Sequence, residues 1–414
     1  MLGSLGATTV RGRDDQSGAS AALPVIEQRI EVTYRYRVLF TEHVFAADNS
    51  LLAETLAAAE AEAPTRFLCV VEEALVRHQP DLLERIQAYA RRYREFVTLV
   101  APPLVVPGGE RVKNAPELVS AVQDAINQGA ICRHSYVVAV GGGALLDMVG
   151  YAAATAHRGV RLVRIPTTVL AQADSGVGVK NSVNAFGKKN FLGTFAPPAA
   201  VINDSTFLET LSEREWRSGL AEAIKVCLLK DAAAFGMIER LAPALARRDM
   251  AAMRQVVHRS AELHVRHIGT SGDPFEFGSS RPLDMGHWAA HKLESLSGYR
   301  LLHGEAVAIG LALDATYAHR VGLLADADHE RIMRLLERLG LPTYAPELSQ
   351  QLADEDDPQC VLRGLAEFRE HLGGRLTVML PVAIGRGREV HSMDLDVLRG
   401  CIGALHRSAW ATEA

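Results

Sequence analysis

The sequence contains few cysteines, and no two of them are spaced as metal-binding or redox-active pairs are. The five cysteines among its 414 residues are widely scattered and form no C-x-x-C pair: Cys69, Cys132, Cys227, Cys360 and Cys401. An odd and dispersed set argues against a disulfide framework and against a cysteine-based structural zinc site. A reducing compartment fits this pattern best, and we expect a cytoplasmic protein.

Long apolar runs and an excess of basic residues are also missing. No stretch of about eighteen consecutive apolar residues occurs, so we expect no membrane span. The formal net charge is -5, whereas nucleic-acid-binding proteins are usually basic, so nucleic acid is not an expected partner. Residues 1–26 do not contain the apolar core of a signal peptide, and we expect them to form a disordered leader.

After this segment, short apolar runs alternate with helical patterns. TYRYRVLF predicts an edge strand, and further strands are predicted at RFLCVV, EFVTLV, SYVVAV, RLVRIP and AAVIND. Strands that alternate with helices indicate a parallel sheet covered on both faces. From about Glu209 long helical patterns dominate, and a late pair of segments, RLTVMLPVAIG and GREVHSM, predicts a small hairpin or a return towards the first domain. The predicted fold class is α/β, with a Rossmann-like nucleotide-binding domain over residues 27–206 and a mainly α-helical domain over residues 207–414.

A glycine-rich turn follows one of these strands. The segment VVAVGGGALLDMVGYAAA places Gly141–Gly143 directly before an apolar helix that carries Asp147 in its early turns. Glycines allow a close approach of the backbone to a diphosphate, and a helix N-terminus offers free N–H groups and a positive dipole. The spacing is not that of the G-x-G-x-x-G fingerprint. A tight strand-to-helix turn without a ligand is the alternative interpretation.

Two further segments have the composition of anion-binding loops. In PGGERVKN, Glu110 and Lys113 could hold a ribose hydroxyl and a phosphate. The segment from Ile165 to Gly193 has three lysines and few acidic residues to pair with them, Lys180, Lys188 and Lys189. Cations without local acids favour an anionic ligand such as phosphate. A solvated basic loop is the alternative.

Three histidines and one glutamate suggest a metal site in the helical half. His287 and His291 are four residues apart on one predicted helix, and His303 opens the next. Glu222 lies on a strongly apolar helix, where an unpaired carboxylate is costly to bury, so a metal or the nearby Lys225 is its expected partner. Glu222 with two of the histidines would leave an open position for substrate oxygens, as catalytic zinc requires. Scattered polar or capping histidines are the alternative.

These motifs together resemble those of the dehydroquinate synthase superfamily, the sugar phosphate cyclases, from about Arg35 to Asp394. The motifs that carry the resemblance, in chain order, are GGGALLD, IPTTVLAQADS, VKN, SGLAEAIK, GHWAAH and HGEAVAIG. The resemblance implies NAD in the N-terminal domain and a zinc ion, or cobalt in its place, in the helical domain. It also implies that the protein is a homodimer.

The same resemblance assigns roles to individual residues. The implied zinc ligands are Glu222, His287 and His303, and His291 is implied to contact substrate or to support the ligands. Residues that resemble those lining the reaction centre are Lys180, Lys225, Asp174, Lys189, Asn190, Arg158 and Asp284. Residues that resemble NAD contacts are Gly108, Gly109, Glu110, Arg111, Val112, Lys113, Gly143, Ala144, Leu145, Leu146, Asp147, Thr167, Thr168, Lys180, Lys189, Phe207, Leu208, Glu209 and Thr210, and Glu72 is the candidate for the adenosine ribose.

Departures from the dehydroquinate synthase pattern bear on the substrate. DSGVGVKNSVN stands in place of DSSVGGKTGIN, and Asp284 replaces the asparagine that precedes the G-H pair. The late basic motif DKK is replaced by FREHLGG, where Arg369 or His371 could substitute. Asparagine and arginine suit a substrate carboxylate, whereas an aspartate accepts hydrogen bonds from hydroxyls. These variants resemble the 2-epi-5-epi-valiolone synthases, which cyclise sedoheptulose 7-phosphate.

The implied reaction is a transient oxidation by NAD, elimination of phosphate, re-reduction and intramolecular aldol cyclisation. NAD is regenerated, so the expected enzyme is a carbon–oxygen lyase of C7-cyclitol, or aminocyclitol, natural product biosynthesis. Synthases of 2-epi-valiolone or desmethyl-4-deoxygadusol are close alternatives. A 3-dehydroquinate synthase and a metal-dependent polyol dehydrogenase are more distant ones.

Overall fold

The computed structural model describes residues 25–57, 63–271, 275, 283–371 and 374–413, with the backbone alone at 371 and 410–413. Most of the predicted leader therefore lies outside the described residues. Residues 25–35 contain no helix or strand, and the described chain from Tyr36 onwards forms one compact unit. No helix in the described ranges is both long and apolar enough to cross a membrane.

The main structural element is a parallel sheet. The strands of the described chain are β1 (Arg37–Thr41), β2 (Thr65–Glu72), β3 (Val97–Leu99), β4 (Leu104–Val106), β5 (Tyr136–Gly141), β6 (Arg161–Pro166), β7 (Lys180–Ala185), β8 (Lys188–Phe195), β9 (Ala200–Asp204), β10 (Val378–Ala383) and β11 (Arg386–Val390). The main sheet has the order β1-β9-β6-β5-β2, and β3 and β4 pair successively with the outer side of β2. The predicted strands are confirmed, and β1 lies at an edge as expected.

Helices account for most of the remaining regular structure. They are α1 (Leu51–Leu56), α2 (Glu73–His78), α3 (Leu82–Arg92), α4 (Pro116–Gln128), α5 (Gly143–Thr155), α6 (Glu213–Ser218), α7 (Leu220–Lys230), α8 (Ala232–Ala246), α9 (Met250–Thr270), α10 (His287–Leu296), α11 (His303–Arg320), α12 (Asp326–Arg338), α13 (Arg363–His371) and α14 (Leu395–Glu413). Short 3-10 segments lie at Glu110–Asn114, Ala156–Arg158, Ser205–Thr210 and Pro346–Ser349, and a π-turn lies at Ala171–Ser175.

The sheet is buried on both faces, as parallel sheets usually are. Along β2, Phe67 and Val71 pack into one apolar cluster with residues of α1 and α3, whereas Leu68 and Val70 pack into another with α4 and α5. This alternation follows from the two-residue period of a strand, which sends successive side chains to opposite faces. The predicted α/β class with a following helical part is confirmed, and the exact boundary near residue 206 stays a prediction.

The helical part is built around two helices that are apolar on nearly every side. Leu220 to Leu229 of α7 are all buried, as are Ala306 to Ala318 of α11. A helix that is hydrophobic all round belongs inside a protein. Because α7 also carries Glu222 and Lys225, the fold places these two charged side chains in the interior.

The lysine-rich segment is more ordered than the predicted loop. It forms the π-turn and then an antiparallel hairpin of β7 and β8, closed by the two residues Phe186 and Gly187 with φ of 53° and 70°. Two positive φ angles are the geometry of a type I′ turn, which matches the twist of a hairpin. The glycine at the second turn position is the sequence signal for this hairpin. The late hairpin of β10 and β11 is confirmed.

Arg164 of β6 fastens the start of this hairpin to the sheet. Its side chain is fully buried and donates hydrogen bonds to the carbonyl oxygens of Gly176 (3.1 Å), Gly178 (2.8 Å) and Lys180 (2.8 Å) and to Asn181 Oδ1 (2.6 Å). Three backbone carbonyl groups of this segment thus receive hydrogen bonds from a single guanidinium group.

We predict that Arg164→Lys lowers the free energy of unfolding by about 2–4 kcal/mol, because an ammonium group cannot reach all four acceptors and leaves buried carbonyls unpaired. Urea unfolding followed by circular dichroism measures this. Arg161→Lys on the exposed end of the same strand is the control, with a change of about 0.5 kcal/mol or less. Equal effects of the two substitutions would contradict the assigned role.

Candidate functional site

Three polar side chains from three helices meet at one point. Glu222 lies in the first turn of α7, while His287 and His303 are the first residues of α10 and α11. Glu222 Oε1 is 3.4 Å from His287 Nε2 and 3.3 Å from His303 Nε2, and the three potential ligand atoms lie within 4.8 Å of one another. The predicted metal-ligand residues are therefore brought together, and their separations suit a shared cation.

The opposite ring nitrogens show which atoms face the centre. His287 Nδ1 is 3.1 Å from the carbonyl oxygen of Met285, and His303 Nδ1 is 3.2 Å from Glu294 Oε2. Both partners only accept hydrogen bonds, so each Nδ1 carries the hydrogen, and a neutral imidazole then presents its Nε2 lone pair to the carboxylate. Lone pairs that converge in this way require a cation or added protons between them. The donor set of one carboxylate and two imidazoles fits zinc or cobalt.

The carboxylate of Glu222 is the negative centre of the cluster. It is almost fully buried, and its Oε2 lies against Lys225 Nζ but accepts no hydrogen bond of good geometry from any described residue. Burial alone would raise the pKa of Glu222, but the charges of Lys225 and His287 outweigh it and hold the pKa well below the usual range. An ionised carboxylate whose Oε1 faces two imidazole nitrogens is suited to bind a metal.

Lys225 connects this cluster to a second pair of polar residues. Its Nζ is 3.8 Å from Asp174 Oδ2, and Asp174 Oδ1 is 2.9 Å from His264 Nδ1. Burial lowers the pKa of Lys225, yet Glu222, Asp174 and Asp284 together raise it above its ordinary value. Lys225 is therefore cationic and acts as a donor. His264 of α9 was not among the predicted site residues, because no local pattern links it to Asp174.

Glu294 is a second site residue that the motifs did not reveal. It accepts hydrogen bonds from Lys189 Nζ at 2.9 and 3.0 Å, in addition to its contact with His303. Glu294 follows His287 by seven residues and His291 by three, so helical periodicity places all three on one face, and this spacing was the available signal. The expectation that the lysines of the basic segment have few partners is wrong for Lys189, because its partner comes from α10.

His291 lies beside the cluster without joining it. Its ring centre is 5.4 Å from that of His287 and 6.1 Å from that of His303, and the residue is exposed to solvent. The surrounding protein atoms, and then the positive charges of His287 and Lys189, hold the pKa of His291 well below its usual range. A neutral, accessible imidazole next to a metal site agrees with the predicted supporting role.

The carboxyl ends of β2, β5 and β6 form a second candidate site. Glu72 ends β2 and accepts a hydrogen bond from the Gly142 N–H at 2.7 Å, and a Cβ on Gly108 would lie 1.9 Å from Glu72 Oε1. In the first turn of α5 the N–H groups of residues 143–145 have no acceptor among the described residues. A crevice at the carboxyl ends of parallel strands, with free N–H groups at a helix start, is where open α/β sheets bind dinucleotides.

The neighbouring charged residues are also brought together. Lys113 Nζ is 2.8 Å from Asp147 Oδ2 and contacts Asn190 Oδ1, and Ser182 Oγ is 3.0 Å from the same Asn190 oxygen. Glu110 Oε1 accepts a hydrogen bond from Asn184 Nδ2 at 3.0 Å. The segment around Glu110 and the β7–β8 hairpin therefore lie against the start of α5, as the prediction of a shared ligand requires.

The remaining predicted residues differ in how closely they approach these two sites. The Thr167 N–H bonds to the carbonyl oxygen of Gly141 at 3.1 Å, which places it at the glycine turn. Phe207 and Leu208 are buried in the apolar clusters, so only their backbone remains for a cofactor. Lys180 is exposed. The cofactor role of every predicted NAD contact stays a prediction, and this includes Gly109, Arg111, Val112, Ala144, Leu145, Leu146, Thr168, Glu209 and Thr210.

Arg158 is not placed with the predicted phosphate-binding residues. It is exposed just beyond the end of α5, about 20 Å along that helix from its glycine turn, and makes no hydrogen bond or ion pair with Lys189 or Asn190. The described residues of this chain therefore do not bring Arg158 to the predicted phosphate site, and its role stays a prediction. Arg369 is exposed on α13, and the side chain of His371 lies outside the described part of the structure.

Comparison with known proteins agrees with this geometry. Residues 103–218 match the family model 3-dehydroquinate synthase N-terminal, and residues 219–356 match 3-dehydroquinate synthase C-terminal. A protein named 3-dehydroquinate synthase from Nitrosospira multiformis is 37% identical over 302 residues, which are 72% of this chain and 80% of that protein.

Solved structures show the same fold. ValA, a 2-epi-5-epi-valiolone synthase from Streptomyces hygroscopicus subsp. jinggangensis 5008 with NAD+ and Zn2+ bound, aligns with a TM-score of 0.78 and 30% identity, over 92% of this chain and 99% of ValA. A 2-deoxy-scyllo-inosose synthase complexed with carbaglucose-6-phosphate, NAD+ and Co2+ aligns with a TM-score of 0.69 and 21% identity, over 88% of this chain and 95% of that one.

Metal-free protein is expected to lose stability as the pH rises from about 7 to about 9.5. Burial lowers the pKa of His303, but Glu294 and Glu222 outweigh it and raise the pKa to about 9, against about 6.5 in an unfolded chain. The stabilisation by the imidazolium is therefore complete below pH 6.5 or so and is lost through about pH 9. Urea unfolding of chelator-treated protein across this range measures the loss. In His303→Gln the same range should be nearly flat, and an unchanged slope would rule out His303 as its source.

Proposed function

The chain belongs to the dehydroquinate synthase superfamily and is a sugar phosphate cyclase, and on this basis we propose that it converts sedoheptulose 7-phosphate into 2-epi-5-epi-valiolone with release of phosphate. The proposed enzyme is a carbon–oxygen lyase that uses NAD catalytically and depends on zinc. Its product would enter C7-cyclitol, or aminocyclitol, natural product biosynthesis. Synthesis of 2-epi-valiolone or desmethyl-4-deoxygadusol from the same substrate is the nearest alternative.

The two candidate sites support the cofactor assignment. The glycine turn, Glu72 and the free N–H groups of α5 would hold NAD, and Glu222, His287 and His303 would hold zinc, as their relatives' cofactors suggest. When bound, NAD supplies a hydride acceptor and zinc polarises substrate hydroxyls. The proposed reaction has no net redox change, so NADH is not expected to accumulate.

The position of Asp284 is the main support for the proposed substrate. It lies three residues before His287, and its carboxylate is close enough to Lys225 to raise the pKa of that lysine. Together with Asp174 and Glu222 it gives this side of the site three carboxylates around one ammonium group. A substrate carboxylate would be repelled there, whereas polyol hydroxyls can donate hydrogen bonds to these oxygens. Sedoheptulose 7-phosphate has hydroxyls and no carboxylate.

The charged residues fit the remaining steps. Lys189 and Asn190 lie next to each other on β8, and we assign these two residues to the substrate phosphate. Glu294 then keeps Lys189 extended towards the metal cluster until an anion competes for it. Lys225, held between Glu222 and Asp174, would donate a hydrogen bond to a developing oxyanion, and Lys180 and His291 would move protons at the substrate.

Two more distant functions make different demands on the site. A 3-dehydroquinate synthase, the name of the relative from Nitrosospira multiformis, must bind a ketoacid phosphate, which the carboxylates around Lys225 disfavour. A metal-dependent polyol dehydrogenase would accumulate NADH and would have no need of a phosphate-binding lysine and asparagine. We further propose that the enzyme is a cytoplasmic homodimer that acts on a free sugar phosphate.

We predict that Glu222→Gln loses zinc and activity together, because the amide removes the negative charge that offsets the metal and halves the oxygen donors. Zinc content after dialysis and phosphate release from sedoheptulose 7-phosphate measure the two losses. Asp174→Asn is the matched control, since it touches Lys225 but offers no atom to the metal cluster. It should retain zinc and lose at least about tenfold in turnover. Full activity of metal-free Glu222→Gln would refute the zinc assignment.

The substrate proposal is tested by supplying two sugars separately. Protein with NAD and zinc is given sedoheptulose 7-phosphate or the seven-carbon ketoacid phosphate of the shikimate route, and phosphate, NADH and the NMR spectrum of the product are recorded. We expect phosphate from the first sugar alone, without NADH accumulation, and couplings of 2-epi-5-epi-valiolone. In Asp284→Asn turnover of the first sugar should fall by about tenfold or more, since a hydroxyl loses its ionised acceptor. Phosphate from the ketoacid alone would identify a 3-dehydroquinate synthase.

A further inference from the structure

Asp314 is a fully buried carboxylate in the middle of α11 that belongs to neither candidate site. Its Oδ2 accepts a hydrogen bond from the Gly286 N–H at 2.7 Å, and its Oδ1 accepts one from Trp288 Nε1 at 3.0 Å. These two donors flank His287 in the chain. A buried carboxylate on an apolar helix is costly, and burial raises the pKa of Asp314 to about 7 despite both donors.

The geometry links Asp314 to the metal cluster through a single peptide group. The N–H of Gly286 and the carbonyl of Met285 belong to the same planar peptide unit. Asp314 binds the N–H side of this unit, and His287 Nδ1 donates to its carbonyl side at 3.1 Å. The orientation of the peptide plane therefore sets the direction of the His287 ring, whose Nε2 faces Glu222.

The peptide unit needs this support because its backbone is unusual. Gly286 has a φ of 77°, and its oxygen lies so close to α11 that a Cβ on Gly310 would be 2.2 Å away. As the residue before the helix, Gly286 accepts the Ala290 N–H on its carbonyl at 3.0 Å, but its own N–H has no helical acceptor and is satisfied by Asp314 instead. Trp288, 1% exposed, fixes the carboxylate from the other side.

We propose that Asp314 is a positioning residue for the metal site, which orients His287 through the Met285–Gly286 peptide and is itself held by Trp288. A carboxylate on the N–H side also polarises the peptide, so the carbonyl becomes a stronger acceptor for His287 Nδ1 and the imidazole a better ligand. The hydrogen bond between Asp314 and Gly286 also stabilises the turn of residues 284–287, which includes Asp284. This inference rests on the zinc-binding part of the proposed function.

The experiment compares two buried tryptophans in the full-length protein. Trp288→Phe removes the N–H that holds Asp314, whereas Trp216→Phe removes an equally buried indole N–H that donates to the Leu245 carbonyl of α8 at 3.0 Å and not to a residue that supports a predicted metal ligand. Both should lower the melting temperature. Zinc affinity is measured by competition with a chromophoric chelator, and the ligand field is read from the absorption spectrum of the cobalt-loaded protein.

We expect Trp288→Phe to weaken zinc binding at least about threefold and to alter the cobalt spectrum, while Trp216→Phe stays within about twofold of the wild type. Asp314→Asn should cost roughly tenfold or more, because both of its partners are donors and an amide offers one of them a clashing N–H. If Asp314→Asn does not fold, Trp288→Phe decides.

Wild-type zinc affinity and an unchanged cobalt spectrum in Trp288→Phe would overturn this inference and leave the proposed function intact. Equal weakening by both tryptophan substitutions would also overturn it, since that would be a general effect of core loss. Wild-type protein that binds no zinc would instead overturn the metal part of the proposed function, and this inference with it.

Discussion

The burial of one negative charge organises the whole candidate active site. Glu222 lies on α7, a helix that is apolar on nearly every side, and the residue is only 2% exposed to solvent. The desolvation of an isolated ionised carboxylate at such a place would exceed the net free energy of unfolding of a typical domain. Lys225 and the two imidazoles lie where they do because they offset this charge, and the residues behind them, Glu294 and Asp174, orient these partners in turn.

Much of this arrangement could be predicted from local patterns. The strands of the parallel sheet and the glycine turn have periodicities and compositions that act within a few residues, and they were found. Glu222 was singled out by its cost of burial, and the histidines by helical spacing. These signals are strong because each depends on one segment alone.

What could not be predicted depends on contacts between distant segments. His264 pairs with Asp174 and Asp314 with Gly286, over separations of 90 and 28 residues along the chain. The predicted basic loop is a hairpin because a turn with two positive φ angles reverses the chain. Lys189 has a partner because Glu294, 105 residues further along the chain, is folded next to it. For Glu294 a local signal does exist, since its seven-residue spacing from His287 places it on the helix face of the two histidines.

The hairpin of β7 and β8 has a mechanical consequence. Lys189 and Asn190 are consecutive residues of β8, yet one binds Glu294 of the helical part and the other contacts Lys113 beside the sheet. The strand is irregular here, because Asn190 has a φ of 56° and the pairing register of β7 and β8 shifts, and the two side chains reach different parts of the protein. A single short ribbon therefore contacts both. A motion that separates α10 from the start of α5 must therefore break either the Lys189–Glu294 contact or the Asn190–Lys113 contact. If the first breaks, the hairpin stays with the sheet, and if the second breaks, it moves with the helical part.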